Sequence, residues 1–139
     1  MTGLWVALAT LALGTVIGVV RLRRDGRVRE AGGGRLSAAD LGSGLGERAT
    51  LVQFSTAFCQ PCRATRRVLA DVSALVPGVA HVEIDAESRL DLVRRLDIMR
   101  TPTVLVLDAA GTIVKQAAGQ PRKADVLAAL AAAVPDSRL

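Results

Sequence analysis

The chain has 139 residues, about one domain's worth on the usual scale of ~100–200 residues per domain. Half of the residues are apolar and 22% are charged, which excludes disordered, collagenous and coiled-coil proteins. The net charge of +5 is concentrated near the N-terminus, where five arginines fall between residues 21 and 29. The rest of the chain is nearly neutral and has few aromatic side chains, so it lacks the basic stripe and the stacking groups of a nucleic-acid-binding protein.

The N-terminal segment carries no charged side chain from Met1 to Val20. At ~1.5 Å per residue, a helix of that length approaches the ~30 Å hydrocarbon core of a bilayer. A cleaved signal peptide would have basic residues before the apolar run and a small-x-small site after it, whereas here the arginines follow the run directly. We therefore predict that residues 1–22 form a retained transmembrane anchor.

The arginines that follow the apolar run also predict the orientation of the chain. Arg21, Arg23 and Arg24 stand directly after it. Basic residues close to a span stay preferentially on the cytoplasmic side, and anionic headgroups contribute on the order of 1 kcal/mol per nearby arginine. We therefore expect a single-pass membrane protein whose folded domain faces the cytoplasm.

Residues 23–36 combine mixed charges with the run Ala31-Gly32-Gly33-Gly34, a composition that buries little apolar surface. We predict a flexible linker there, followed by a folded domain over residues 37–139. Ser37 is a typical N-cap and predicts a short turn of helix, which Gly42 interrupts.

From Thr50 onward the apolar residues recur at regular intervals. Alternating or continuous apolar runs predict strands, whereas apolar residues at intervals of three and four predict helices. Pro77-Gly78 ends the first long helix, and Asp108-Ala109-Ala110-Gly111 is typical of a hairpin turn. Strands alternating with helices, closed by a hairpin, predict an α/β fold with a mixed sheet flanked by helices. The predicted strands are 50–55, 79–84, 103–107 and 112–116, and the predicted helices are 60–76, 88–96 and a last one opened by Pro121.

The sequence Cys59-Gln60-Pro61-Cys62 stands directly after a predicted strand and opens the next predicted helix. A thiol at a helix N-terminus lies near unpaired N–H groups and the positive end of the helix dipole. Together with the Cys-X-X-Cys pairing, this lowers a thiol pKa from ~8.5 to ~3.5–7.5. Cys62 lies one turn further on, close enough to Cys59 to form a disulfide. This placement predicts a redox-active pair.

Two other interpretations of the cysteines remain open. Half of a zinc site would need ligands elsewhere, but the chain has two cysteines and one histidine, so only His81 remains as a strong neutral ligand. An inert structural disulfide would close so short a loop that it constrains little of the unfolded chain. The strand-to-helix position of the motif favours the redox-active pair over both.

From about Thr50 to Leu130 the sequence resembles a thioredoxin-family domain. The resemblance rests on the Cys pair and on Ile98-Met99-Arg100-Thr101-Pro102-Thr103, which precedes the hairpin strand where the family keeps a cis-proline facing the redox pair. Ile84-Asp85 and Gly119 also match the family's pattern. The resemblance implies a thioredoxin-like fold, a cis peptide bond before the proline, and a preceding threonine whose backbone pairs with an extended substrate strand.

The function that the resemblance implies is that of a membrane-tethered thiol–disulfide oxidoreductase. The Cys59 thiolate would attack a substrate disulfide, and Cys62 would then resolve the mixed disulfide. The implied partners are a disulfide-containing protein substrate and an upstream thiol donor, with the membrane bound through residues 1–22. No metal is implied, and no cofactor besides the redox-active Cys59–Cys62 disulfide. The implied substrate contacts are Thr101, Pro102, Phe58, Gln60 and Pro61.

Two positions depart from the family pattern. The family's buried acid, on the strand before the motif, falls at Gln53, which does not titrate. The lysine that usually partners this acid falls at His81. In the family the acid relays a proton to the second cysteine, so the candidates for a relay here are Gln53 and His81, with water or an acid elsewhere in the chain as the alternatives.

The Gln60-Pro61 dipeptide is similar to that of membrane-tethered thioredoxins of cytochrome maturation and of the TlpA type. Those proteins usually carry an insertion between the first helix and the middle strand, for which Val76-Pro77-Gly78-Val79 leaves no room. Anchored family members often work outside the cytoplasm, so the extracytoplasmic face is the alternative to the orientation that the arginines predict.

Two other functions fit the same pattern. A non-enzymatic membrane-anchored adaptor would keep the fold and use the Cys pair only structurally. A copper-delivery protein of thioredoxin-like fold would use two cysteines and a histidine. Such proteins resemble this sequence less, because they space their cysteines as CxxxC.

Overall fold

A computed structural model of the chain describes residues 1–31 and 33–134. Residue 32, in the predicted linker, and residues 135–139, at the end of the predicted domain, lie outside the described residues. In chain order, the helices and strands are α1 (Thr2–Arg24), β1 (Val28–Glu30), α2 (Ala38–Leu41), β2 (Ala49–Ser55), α3 (Gln60–Leu75), β3 (Val79–Asp85), α4 (Leu90–Arg95), β4 (Thr103–Asp108), β5 (Ile113–Ala118) and α5 (Lys123–Ala133).

The strands form one sheet in the order β1-β5-β4-β2-β3. β2 and β3 are parallel because α3 carries the chain back between them, whereas the other neighbouring strands are antiparallel. In the β4–β5 hairpin, the Asp108 carboxylate accepts hydrogen bonds from the N–H groups of Ala110 and Thr112, and Gly111 supplies a φ of +87°. The mixed sheet predicted from the sequence is therefore confirmed.

Helices cover both faces of this sheet. On one face, Leu69 of α3 and Leu130 of α5 belong to the same buried cluster as Leu51 of β2. On the other face, Leu92 of α4 belongs to the same buried cluster as Phe54 of β2. Alternate residues of a strand point to opposite faces, and every residue of β2 is buried. β2, which leads into the Cys motif, is thus held from both sides.

The N-terminal helix α1 is long and apolar enough to cross a membrane, and none of its residues is buried. Signal sequences near an N-terminus meet the same criterion. Its last turn holds Arg21, Arg23 and Arg24, which complement the negative end of the helix dipole.

The predicted flexible linker over residues 23–36 is wrong in part. α1 continues to Arg24, and β1 pairs antiparallel with β5, with Val28 opposite Ala117. Leu36 is fully buried, so the folded domain includes residues well before position 37. A three-residue edge strand with two charged side chains has no apolar period, and its partner strand lies far along the chain. Composition alone therefore indicated a linker.

Two helices also begin later than predicted. α4 begins at Leu90 rather than at Ser88, because the Asp85 carboxylate accepts hydrogen bonds from the Glu87 N–H and the Ser88 hydroxyl and holds both residues in a turn. α5 begins at Lys123, two residues after the proline predicted to open it.

Candidate active site

Cys59 and Cys62 lie where the chain passes from β2 into α3. Cys59 is the N-cap of α3 and Cys62 lies in its first turn. Their Sγ atoms are bonded at 2.09 Å, with the Cα atoms 5.2 Å apart. Pro61 is tolerated between them because N–H groups in the first turn of a helix have no hydrogen-bond partner within the helix. The N–H that proline lacks is therefore not needed there. The disulfide expected from the spacing is present.

The two sulfurs differ in exposure. Cys62 is 1% exposed, whereas Cys59 is half-buried. The backbone N–H of Cys62 donates to Cys59 Sγ at 3.2 Å. After reduction, this donor and the positive end of the α3 dipole would stabilise a thiolate on Cys59. The arrangement therefore gives one accessible nucleophile and one sheltered thiol that can close the disulfide again.

A second loop meets the Cys pair at the same end of the sheet. Its Thr101–Pro102 peptide bond is cis, as the family resemblance implied, and Pro102 is buried. The N–H of Gly119 donates to the main-chain oxygen of Pro102 at 2.7 Å, which ties this cis-proline loop to the end of β5. The hydroxyl of Thr101 lies 3.4 Å from that of Thr56, in the loop between β2 and Cys59. The two loops are thus directly joined.

The other predicted substrate contacts are exposed around these loops. Phe58, directly before Cys59 in the chain, is 98% exposed. Gln60 and Pro61, directly after it, are exposed as well. Their contact with a substrate stays a prediction. The sequence analysis missed Met99, which is 84% exposed in the cis-proline loop. Its position three residues before Pro102 was the signal that could have found it.

The two predicted relay residues lie together beside Cys62. Gln53 is 0% exposed, and its Nε2 donates to the main-chain oxygen of Cys62 at 2.8 Å. On the neighbouring strand β3, His81 Nε2 lies 3.3 Å from Gln53 Oε1. Because an amide oxygen only accepts hydrogen bonds, His81 must carry its proton on Nε2 to make this one. A hydrogen-bonded chain thus runs from His81 to the Cys62 main chain, and a proton relay along it stays a prediction.

The charge of His81 is set mainly by burial. Burial lowers the pKa of His81 below its usual 6.5, an effect that Glu83 opposes and Arg66 reinforces. Arg66 and Glu83 form an ion pair, in which Arg66 Nη2 donates to Glu83 Oε1 at 2.8 Å. His81 is therefore neutral at pH 7, with one ring nitrogen free to accept a proton.

Arg100 connects the cis-proline loop to the end of α1. Its guanidinium forms an ion pair with Asp25, which directly follows α1. Gly119 lies against this pair: a Cβ atom there would be 2.3 Å from Asp25 Oδ1 and 2.7 Å from Arg100 Nη2. The sequence analysis placed Asp25 in a linker, and no local pattern marks a contact with a residue so far along the chain.

The described residues, 1–31 and 33–134, contain no group of three or more His, Cys, Asp and Glu side chains arranged to hold a metal ion. The two cysteine sulfurs are bonded to each other, and His81 contacts an amide oxygen. The chemistry that these side chains can perform is the making and breaking of one disulfide.

Residues 40–133 match the family model of thioredoxin. Among curated proteins, Thioredoxin H4-1 of Oryza sativa subsp. japonica is 33% identical over 82 residues, which cover 58% of this chain and 63% of the rice protein. Thioredoxin domain-containing protein 2 of Homo sapiens is 37% identical over 71 residues, which cover 49% of this chain and 13% of the human protein. The chain thus spans less than two thirds of the length of these relatives.

Solved structures share the fold. Thioredoxin f from spinach chloroplast superposes with a TM-score of 0.55 at 21% identity, covering 63% of this chain and 72% of that one. Reduced thioredoxin from Schistosoma mansoni gives a TM-score of 0.55 at 16% identity, covering 63% of this chain and 81% of that one. Because the family model matches more than half of this chain, the chain belongs to the thioredoxin family.

Proposed function

We propose that the protein is a thiol–disulfide oxidoreductase tethered to a membrane by α1. The observation that carries this proposal is the Cys59–Cys62 disulfide at the N-terminus of α3, joined to a cis-proline loop. Membership of the thioredoxin family supports the chemistry, and the length and composition of α1 support the tether.

The reaction is thiol–disulfide exchange. In the reducing direction, the Cys59 thiolate attacks one sulfur of a substrate disulfide, and the other substrate sulfur leaves as a thiolate that takes up a proton. The Cys62 thiol then loses its proton and attacks Cys59 Sγ, which restores the Cys59–Cys62 bond and releases the second substrate thiol. The substrate disulfide is reduced to two thiols, and the Cys pair is oxidised. An upstream thiol donor must reduce the pair again.

The substrate is proposed to bind as an extended segment along the cis-proline loop. Thr101 lies just before β4, whose ladder begins at Thr103, so its main chain can pair with a peptide strand laid beside the sheet end. Phe58, Gln60 and Pro61 surround Cys59 and are proposed to make the remaining contacts. A peptide held in this way presents its disulfide to Cys59.

The proton that Cys62 loses needs an acceptor, and Gln53 occupies the position where the family carries a carboxylate. Gln53 does not titrate, so we propose that it positions Cys62 through the 2.8 Å hydrogen bond to the Cys62 main chain. His81 is the titratable group of this hydrogen-bonded chain. His81 Nε2 already carries a proton and donates it to Gln53, so the proposed proton acceptor is the other ring nitrogen, Nδ1, of neutral His81, or water.

The arginines at the end of α1 favour the cytoplasmic face for the domain. Thiols are kept reduced in the cytoplasm, so the pair would act there as a reductant. A reporter fused to the C-terminus, and alkylation of reduced Cys59 by a membrane-impermeant reagent in intact cells, decide the side. Labelling in intact cells would contradict the cytoplasmic orientation and support the extracytoplasmic one.

The tether and the Gln60-Pro61 dipeptide support a place among the TlpA-type thioredoxins. The insertion usual in that subgroup is missing, since only residues 76–78 separate α3 from β3. The subgroup therefore stays a prediction.

Trapping tests the mechanism. With insulin as substrate, Cys62→Ser that has been reduced and then freed of dithiothreitol should accumulate a mixed disulfide on non-reducing gels, because Cys59 still attacks and nothing resolves the product. Dithiothreitol serves as the thiol donor only in the separate insulin-reduction assay. Cys59→Ser should form none, and the double variant is the matched control for nonspecific adducts. If neither variant traps insulin and the native chain does not reduce it, the oxidoreductase proposal is wrong. A Cu(I) titration then separates copper delivery from an adaptor role.

A further inference from the structure

The strand ladder brings the end of α1 and the Cys pair to the same end of the sheet. β1 starts at Val28, opposite Ala117 near the end of β5. Ala118 at the end of β5 lies opposite Thr103 at the start of β4, and Thr103 lies opposite Phe54 near the end of β2. The start of β1 and the end of β2 therefore share one end of the sheet, so α1 joins the domain where the disulfide and the cis-proline loop are.

Short contacts fix this junction. The N–H of Gly26 donates to the main-chain oxygen of Ala118 at 2.8 Å. A Cβ at Gly26 would lie 1.8 Å from the main-chain oxygen of Gln120, so the two segments pack without a gap. Asp25 holds the cis-proline loop through its ion pair with Arg100. The end of α1 is thus bonded directly to the loop beside the Cys pair.

The distance from the membrane follows from this connection. From Val20, the last residue of the uncharged run, to Gly26 the chain spans on the order of 10 Å. Two steps of about 5 Å between neighbouring strands lead from Gly26 through Ala118 to Thr103. If α1 crosses a bilayer, the cis-proline loop lies at most on the order of 20 Å from its apolar core, and the headgroup layer takes up roughly the first 5–8 Å of that distance.

The surface around the Cys pair suits a membrane interface. Phe58 and Met99, on the two loops of the site, are 98% and 84% exposed. Arginines and apolar tips side by side are typical of surfaces that lie at the headgroup layer. A cleft of about 580 Å³ between the end of α1 and the sheet is lined by Arg100 together with Arg21, Arg24, Arg29 and Asp25.

We infer that the substrate is a membrane-embedded protein whose disulfide lies close to the membrane surface. This inference rests on the proposed function and adds the location of the substrate. A tether without slack keeps the Cys pair away from disulfides far from the bilayer, and gives it a high effective concentration toward those at the membrane surface. Phe58 and Met99 supply the apolar contacts to the interfacial segment of the partner.

Fluorescence quenching tests the position of the site. In the full chain with Trp5→Phe, a single tryptophan is introduced as Phe58→Trp or, in the matched control, as Ala110→Trp. Ala110 is exposed in the β4–β5 turn, at the opposite end of the sheet. In vesicles whose lipids carry a nitroxide on the headgroup, we expect Phe58→Trp to be quenched several-fold more than Ala110→Trp. Equal quenching would overturn the inference.

Exchange in vesicles tests the substrate class. Two membrane-spanning peptides carry the same disulfide loop, one directly after the span and one after a flexible Gly/Ser spacer of about 30 residues, whose end-to-end distance is about 30 Å. We expect the native chain to reduce the near disulfide about tenfold faster than the distant one. A spacer of about 20 Gly/Ser residues inserted between Leu22 and Arg23 leaves Asp25 and β1 with the domain. This insertion should abolish the preference and leave the reduction of soluble insulin unchanged.

The possible results separate the inference from the function on which it rests. Equal rates on the two peptides, with insulin still reduced by the native chain, overturn the inference and leave the oxidoreductase proposal standing. Failure to reduce insulin, with no mixed disulfide in Cys62→Ser, overturns the oxidoreductase proposal and this inference with it.

Discussion

The side-chain amide of Gln53 holds the main chain of Cys62, the buried half of the disulfide, at 2.8 Å. The other end of the same amide accepts a hydrogen bond from His81. Gln53 is fully buried and His81 is half-buried, so little solvent is present to replace a lost partner. One uncharged side chain thus positions the resolving cysteine and fixes the tautomer of the histidine.

Replacing Gln53 by leucine tests the structural part of this arrangement. Gln53→Leu should lower the free energy of unfolding by about 1–3 kcal/mol, because the Cys62 carbonyl and the His81 N–H lose their partner in a site with little water. Denaturant titration of the full chain in detergent measures the change. Gln120→Leu, at an exposed position, is the matched control and should stay within about 0.5 kcal/mol of the native chain. Equal losses for the two variants would contradict the bridging role.

Restoring the carboxylate tests the proton-transfer part. We expect Gln53→Asp to accelerate the decay of the mixed disulfide by about a hundredfold, the lower end of what a positioned general base contributes. The reason is that a buried carboxylate has a raised pKa and can take the Cys62 proton. Gln53→Asn is the control, because asparagine has the same length as aspartate and does not titrate. The rate is measured by single-turnover exchange with insulin, and equal rates for the two variants would mean that another group already accepts the proton.

The lowered pKa of His81 predicts that the stability of the fold depends on pH at values above those at which carboxylates titrate. Burial lowers its pKa in the folded chain, whereas in the unfolded chain it keeps its usual value of 6.5. Below that value the unfolded chain binds more protons, so the stability present above pH 6.5 is lost as the pH falls toward the folded pKa. Between about pH 7.5 and about pH 5.5, His81→Gln should therefore lose less stability than the native chain.

His81→Gln also alters the hydrogen bond to Gln53, which changes the absolute stability. The slopes of stability against pH are therefore compared, rather than the stabilities themselves. Asp40 does not interfere in this window. A hydrogen bond from Arg95, with further bonds from Ser37, lowers the Asp40 pKa below its usual 3.8, so its contribution is lost only in stronger acid. Parallel slopes for the native chain and His81→Gln in denaturant titrations would show that His81 is not desolvated in the folded chain.

Local sequence signals were enough to predict the Cys pair and most of the sheet. Cys59 stands at a strand-to-helix junction, and β2 and α3 have the apolar periods of their classes. Ser37 caps α2 as predicted, and Asp40 completes a capping box. The cis bond at Pro102 followed from the family resemblance, because nothing in the neighbouring residues distinguishes it from a trans bond.

The features that join the site to the end of α1 depend on contacts between residues that are distant in the chain, so the sequence did not predict them. β1 has three residues and acquires its place from backbone pairing with β5, which no side-chain pattern records. The ion pair between Asp25 and Arg100 joins two residues that are far apart in the chain, and only the fold brings them together. Gln53 and His81 were singled out from the family pattern, but their hydrogen bond required the register of β2 and β3, in which Gln53 lies opposite Glu83.

The contact of Gly119 with the Asp25–Arg100 ion pair gives the last prediction. Gly119 and Gly42 both have positive φ, +99° and +70°, so an alanine at either position is strained by about 1 kcal/mol. At Gly42 nothing lies within 4 Å of an added Cβ, whereas at Gly119 the Cβ would meet Asp25 at 2.3 Å and Arg100 at 2.7 Å. Gly119→Ala must therefore displace these two side-chain ends and separate the ion pair.

We expect Gly42→Ala to lower the free energy of unfolding by about 1 kcal/mol and Gly119→Ala to lower it by about 1–2 kcal/mol, because the partly exposed ion pair is lost in addition to the backbone strain. Denaturant titration of both variants measures this difference. Gly119→Ala alone should also slow the reduction of insulin, since the N–H of Gly119 holds Pro102 in the loop that is proposed to bind the substrate. Equal losses of stability with unchanged exchange rates would show that the ion pair does not occupy the space above Gly119, and that the end of α1 is free of the cis-proline loop.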